Sequence, residues 1–243
     1  MKKRILFYAM AFGMIAIGVS SCSDDKNGDE PGQPSVAMVL TEMRGNYVNV
    51  SYNTDGVVFQ AKYDAQGRIT ETRNGENGSW EKYVYTDSQI TCGLSMYEVS
   101  GGKIVDGDRY KYDSSNQLTA IGSCSLTWTD GNITATSYSG LGGNEKTSLT
   151  YTDKPNVGNL NWMLNLAYST CFPGEMAYVQ PELAVSGYFG VPCKNLCKSI
   201  SWNGTLDRTF DYLDYNENGY PTTLKITDAD GDVQEYSLTW TKL

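Results

Sequence analysis

From residue 36 onward, apolar and polar positions alternate with a period of two over most of the chain. Cys124, Leu126 and Trp128 alternate with Ser125, Thr127 and Thr129. Thr147, Leu149 and Tyr151 alternate with Ser148, Thr150 and Thr152. Tyr236, Leu238 and Trp240 do so with Ser237, Thr239 and Thr241. Ile90, Cys92, Leu94 and Met96 read as one strand of the same kind. That period gives each strand one apolar and one polar face. A unit recurs at irregular spacing: an aromatic, an Asp, a short turn, then an aliphatic–Thr pair. Its clear copies are Tyr63-Asp64…Ile69-Thr70, Tyr85-Thr86-Asp87…Ile90-Thr91, Tyr112-Asp113…Leu118-Thr119 and Trp128-Thr129-Asp130…Ile133-Thr134. Each copy reads as a hairpin, with Asp bonding turn amides and Gly or Asn supplying positive φ. Short consecutive turns predict an all-β fold: a single antiparallel meander of roughly 10–14 strands that strand twist curls into a half-barrel or barrel. The first strand run, Val36 to Met43, is expected to break at Arg44-Gly45-Asn46 before a second at Tyr47 to Tyr52. Asp55-Gly56 is a hairpin turn signal.

The rhythm fails between Pro155 and Lys198. Asn159 to Tyr168 has helical spacing, with Leu160, Met163, Leu164 and Ala167 on one stripe. Pro173-Gly174 stops it, and Glu175 to Ser186 suggests a second short helical piece interrupted at Pro181. This insertion, residues 155–198 of a domain spanning 36–243, is expected to cover the apolar face as a plug. The alternative is a lid over a ligand cavity.

The first 21 residues do not fit this pattern. Met1-Lys2-Lys3-Arg4 is a positive n-region, and Ile5 to Val19 is an apolar run of about 15 residues, short for a membrane span. Together they read as a signal peptide. It ends Val19-Ser20-Ser21-Cys22, which resembles a lipobox and makes Cys22 the expected site of a diacylglycerol and acyl lipid. No other cofactor is expected. Residues 22–35 form a polar, acidic, Pro/Gly-bearing tether. Removing Lys2, Lys3 and Arg4 takes the formal charge from −9 to −12. That acidity argues against nucleic acid and against docking on anionic lipid. The expected membrane contact is the lipid anchor, and the acidic run after Cys22 resembles a surface-export signal, which suggests a surface-exposed outer-membrane lipoprotein. An oxidising compartment allows disulfides, and pairing among Cys92, Cys124, Cys171, Cys193 and Cys197 stays open.

Gly187-Tyr188-Phe189-Gly190 and Lys194-Asn195-Leu196-x-Lys198-Ser199-Ile200 resemble a family of Bacteroidetes lipoproteins of unknown function, with Cys197 standing where the family phrase carries Pro. The lipobox and the Tyr-Asp hairpins fit as well. The resemblance implies a porin-like, strongly curved β-sheet and an envelope location. It implies no activity.

The chain has no His. Ser-His, Cys-His and His-metal arrangements are therefore absent, and no phosphate-binding Gly loop stands between a strand and a helix. No enzyme motif is found. Two turns mimic calcium loops: Asp214-x-Asn216-x-Asn218-Gly219, whose twelfth position is Lys225 rather than Glu, and Asp228-x-Asp230-Gly231-Asp232. Both fit hairpin turns better. Trp128, Trp202 and Trp240 share phase with apolar neighbours and read as core rather than as a sugar platform. Candidate ligand-binding residues are Trp162, Tyr168, Tyr188 and Phe189. Three functions stay open: a non-catalytic module that binds or displays a glycan or protein ligand, a carrier of an apolar small molecule or lipid, and a carboxylate-dependent hydrolase.

Overall fold

The computed structural model describes residues 37–48, 56–140, 143–161 and 180–243. The leader, the tether, Cys22, Trp162, Tyr168 and Cys171 lie outside them. The chain folds as a meander of antiparallel strands. The first eight are β1 (Met38–Val48), β2 (Gly56–Tyr63), β3 (Ile69–Asn74), β4 (Glu81–Tyr85), β5 (Gln89–Cys92), β6 (Ser95–Ser100), β7 (Lys103–Ile104) and β8 (Tyr110–Tyr112). Then come β9 (Leu118–Ile121), β10 (Cys124–Thr129), β11 (Asn132–Gly140) and β12 (Gly143–Pro155). After the insertion, β13 (Asn195–Trp202), β14 (Thr205–Tyr215), β15 (Pro221–Asp228) and β16 (Val233–Lys242) complete the sheet. Every strand pairs with its sequence neighbours except that β7 and β8 do not pair with each other, and β1 pairs with β16. The sheet is thus a nearly closed, 16-stranded barrel whose two edges are β7 and β8.

Three expectations change. The strand number exceeds the anticipated range. Arg44-Gly45-Asn46 does not break the first strand, because Gly45 pairs with Gly56 on one side and Tyr236 on the other, so its backbone is held by both ladders. Ile90 to Met96 is a hairpin, not one strand. Cys92 pairs with Ser95 across Gly93-Leu94, with Gly93 at φ 55°. That is the two-residue loop that glycine favours. Met96 therefore faces out opposite Thr91, and Leu94 is fully exposed at the tip.

Turn chemistry follows the repeat. At Asp64 the Oδ1 accepts the amides of Gln66 and Arg68, while Gly67 N donates to Asp64 O. Asp113, Asn216 and Asp228 repeat this pattern with their own following residues. The fourth residue of each turn has positive φ: Gly67, Asn116, Gly219 and Gly231. A side-chain oxygen satisfies two amides that a tight turn would otherwise leave unpaired.

The repeat's aromatic has a second task. Even-numbered strands all finish at one end of the barrel, and in all of them but β6 the final inward aromatic donates to a carbonyl of the preceding strand. Tyr63 Oη donates to Leu40 O, Tyr85 to Ile69 O, Tyr151 to Ile133 O and Tyr212 to Cys197 O, at 2.6–2.9 Å. The indole Nε1 of Trp128 and of Trp240 donate in the same way to Leu118 O and Pro221 O. Tyr112 Oη donates to Ile104 O at 3.0 Å, across the seam between β7 and β8. The rings fill the interior and their polar tips tie adjacent strands at this aromatic end.

The insertion stoppers that end. After a 3-10 turn at Val157–Asn159, Leu160 is fully buried. A short helix, α1 (Pro181–Val185), buries Leu183 and Ala184. Pro181 opens this helix rather than interrupting it, since its missing N–H is not needed in a first turn. Tyr188 O accepts from Ile104 N at the seam, and Val191 N donates to Asn116 O. Lys194 N donates to Gly131 O, and Ile69 N to Ser186 Oγ. Leu160, Leu183, Ala184 and Phe189 of the insertion belong to one core cluster with the inward side chains of the sheet.

Candidate functional site

The pleat alone does not explain the outer face of β12–β14. In β13, Cys197 pairs with Tyr151 and Ser199 with Thr150, so Lys198 is bulged out. In β12, Tyr151 pairs with Cys197 and Pro155 with Asn195, so Thr152, Asp153 and Lys154 bulge opposite Leu196. Thr152 Oγ1 donates to Leu196 O and accepts from Lys154 N, which holds the second bulge. From the core side, buried Asn161 donates to Asn195 O and accepts from Cys197 N, taking up backbone groups near the bulge. Bulges re-aim side chains and gather beside functional sites.

The two bulges border a groove of about 490 Å³ lined by Asp153, Lys154, Lys198, Asp211, Leu213 and Tyr215. The last three are alternate residues on the outer face of β14. Leu213 and Tyr215 are 43 % and 41 % exposed, among the few large apolar side chains open to solvent. Asp153, Lys154, Lys198 and Asp211 form no ion pair among the described residues. Partial burial, and then the charge of Asp153, raise the Tyr215 hydroxyl above the ordinary tyrosine value. The groove therefore sets an apolar ring and an aliphatic side chain among two acceptors and two donors that have no internal ionic partner.

The residues singled out from sequence sit elsewhere. Phe189 is buried and meets Tyr110 edge-on at 5.3 Å. Tyr188 is half-buried and stacks on Tyr85 at 5.6 Å. Both belong to the stopper and its seam. Asp214, Asn216 and Asn218, and Asp228, Asp230 and Asp232, lie in two different hairpin turns. The Oδ1 atoms of Asn216 and Asp228 are engaged with turn amides, and among the described residues no group of three Cys, Asp or Glu side chains is placed to hold a metal. Cys92, Cys124, Cys193 and Cys197 are buried. Burial pushes the Cys92 thiol up to about 11. Trp240 is buried, and Trp128 and Trp202 are half-buried.

The polarity of the barrel is that of a water-soluble sheet. Ser125, Thr127, Thr129, Ser148, Thr150, Ser237, Thr239 and Thr241 are exposed outside, while Leu126, Leu149, Leu238 and Trp240 are buried inside. A transmembrane barrel needs the reverse, an outward apolar band.

No protein-family model and no curated protein matches the chain. Solved structures do. A porin-like protein from Bacteroides uniformis ATCC 8492 matches with a TM-score of 0.59 at 10 % identity, over 83 % of this chain and 98 % of that one. A porin-like protein from Bacteroides vulgatus ATCC 8482 matches with a TM-score of 0.52 at 13 % identity, over 85 % of this chain and all of the other. The chain has their fold. At that identity the likeness carries the porin-like sheet and nothing about a ligand.

Proposed function

We propose that the chain is a lipid-anchored cell-envelope protein, held through Cys22 and displayed at the surface, that binds a carbohydrate without catalysis in the groove over β12–β14. The observation that carries this reading is the pair of bulges that brings Asp153, Lys154 and Lys198 around Tyr215. A sugar offers an apolar ring face to stack on tyrosine and hydroxyls that both donate and accept. Carboxylates beside ammonium groups suit that dual character. Asp153 and Asp211 are both exposed, whereas a general acid needs an enclosed carboxyl, which favours binding over hydrolysis. A carrier role needs interior space, and Leu160, Leu183, Ala184 and Phe189 occupy the interior at the stoppered end. The envelope assignment rests on the leader, the lipobox-like ending at Cys22 and the lipoprotein resemblance.

Affinity electrophoresis in gels containing starch, xylan, galactomannan or polygalacturonate tests the groove. The wild-type protein is expected to be retarded in at least one gel, and Tyr215→Ala to run at the control mobility there. Equal mobility of the two proteins in every gel overturns the assignment.

A further inference from the structure

Glu182, the second residue of α1, is 8 % exposed, and its Oε2 has no hydrogen-bond partner among the described residues. The titratable groups that act on it across the packing are Glu81 and Tyr83 on β4, Tyr63 on β2, Cys92 on β5 and Tyr97 on β6. None of these is a cation. The nearby Arg68 is engaged by Asp64 and lies over Tyr85. An ionised carboxylate in such a place loses its hydration without gaining a counter-charge. Burial raises the carboxyl above the ordinary glutamate value, the repulsion of Glu81 adds to this, and Glu182's own backbone amide opposes it only in part.

The same short segment closes the barrel. Ser186 Oγ accepts from Ile69 N and donates to Glu182 O. Tyr188 N donates to Leu183 O, and Tyr188 O receives Ile104 N at the seam. Asn159 Nδ2 donates to Val185 O. Glu182 cannot regain water unless this cap lifts.

We propose that docking of the 180–191 cap onto the aromatic end is coupled to proton uptake at Glu182, so that the barrel end is held tightly when the carboxyl is protonated and loosens when it ionises. Below the ordinary glutamate value the group is protonated whether the cap is docked or lifted, and docking does not depend on pH. Above that value only the docked state keeps the proton. Docking then weakens by about tenfold per pH unit until the docked carboxyl also ionises. The direction is opposite to that of an ion-paired carboxylate, which loses stability as pH falls.

Hydrogen exchange of the Ile104 and Tyr188 amides in the full chain, corrected for the intrinsic pH dependence of exchange, reads cap docking directly. In the wild type, protection is expected to fall by about tenfold per pH unit above the ordinary glutamate value. In Glu182→Gln it is expected to stay flat and high. A Glu182→Gln profile that falls as the wild type does overturns the proposal. The carboxyl carbon of Glu182 in the wild-type protein supplies an independent reading if the variant does not fold. A titration midpoint above the ordinary glutamate value supports the coupling, and one at or below it overturns the coupling.

Discussion

Tyr151 shows why the repeated unit begins with tyrosine or tryptophan rather than phenylalanine. Its ring lies among the inward side chains, and its hydroxyl donates to Ile133 O at 2.6 Å. Phenylalanine would keep the ring and leave that carbonyl unpaired near the interior. Tyr151→Phe is therefore expected to lower stability by about 1–3 kcal/mol in urea unfolding, whereas Tyr215→Phe, on the outer face, is expected to be nearly neutral. An unchanged midpoint for Tyr151→Phe would remove the carbonyl bond from the reasons for the repeat. The Asp of the unit was legible in the sequence, because an Asx turn is local and needs only Asp, a short spacer and Gly. The aromatic's hydrogen bond was not, because its acceptor lies on the neighbouring strand. The calcium resemblance has the same local origin: an Asx turn and a cation loop both call for Asp or Asn ahead of Gly.

At the scale of elements, hairpins announced by Asp-Gly, Asn-Gly or the repeated aromatic–Asp unit were readable, and the one at Cys92–Ser95, which has none of these, was not. Cys92-Gly93-Leu94-Ser95 keeps an unbroken apolar–polar alternation through a turn. A two-residue loop reverses the chain and shifts the phase, so Tyr97 pairs with Ile90 and Met96 with Thr91. Gly93 was the one local sign. The groove was hidden for another reason. A bulge is a property of two paired strands, and neither β12 nor β13 alone shows which residue the ladder will leave out. The stopper was legible as a break in rhythm, and its junction with the seam depends on a close approach. A Cβ on Gly190, at φ 82°, would stand 2.2 Å from Asn116 O and 3.3 Å from the Tyr112 ring. Gly190→Ala is expected to destabilise the protein by about 1–3 kcal/mol and to lose protection at Val191 N, which donates to that same carbonyl. Gly187→Ala makes the useful comparison. Its φ is also positive, at 86°, but a Cβ there meets nothing within 4 Å, so a smaller loss is expected.

For the whole molecule, the arrangement that matters is where the polar and apolar faces end up. The strands close through β1 and β16, the interior carries the aliphatic and aromatic residues, and the outside carries serines, threonines and charges. The sheet shares a fold with proteins described as porin-like, yet its polarity suits water on the outside and packing within. Under the proposed reading, attachment to a membrane comes from the lipid on Cys22 rather than from the strands, and the ligand is bound on the outer face beside its bulges. Efflux of potassium chloride from sealed liposomes carrying the purified full-length protein tests this most directly. The expected result is no efflux above that of protein-free liposomes. Protein-dependent release of salt, with larger solutes retained, would show a water-filled bore through a spanning barrel and would contradict a filled interior.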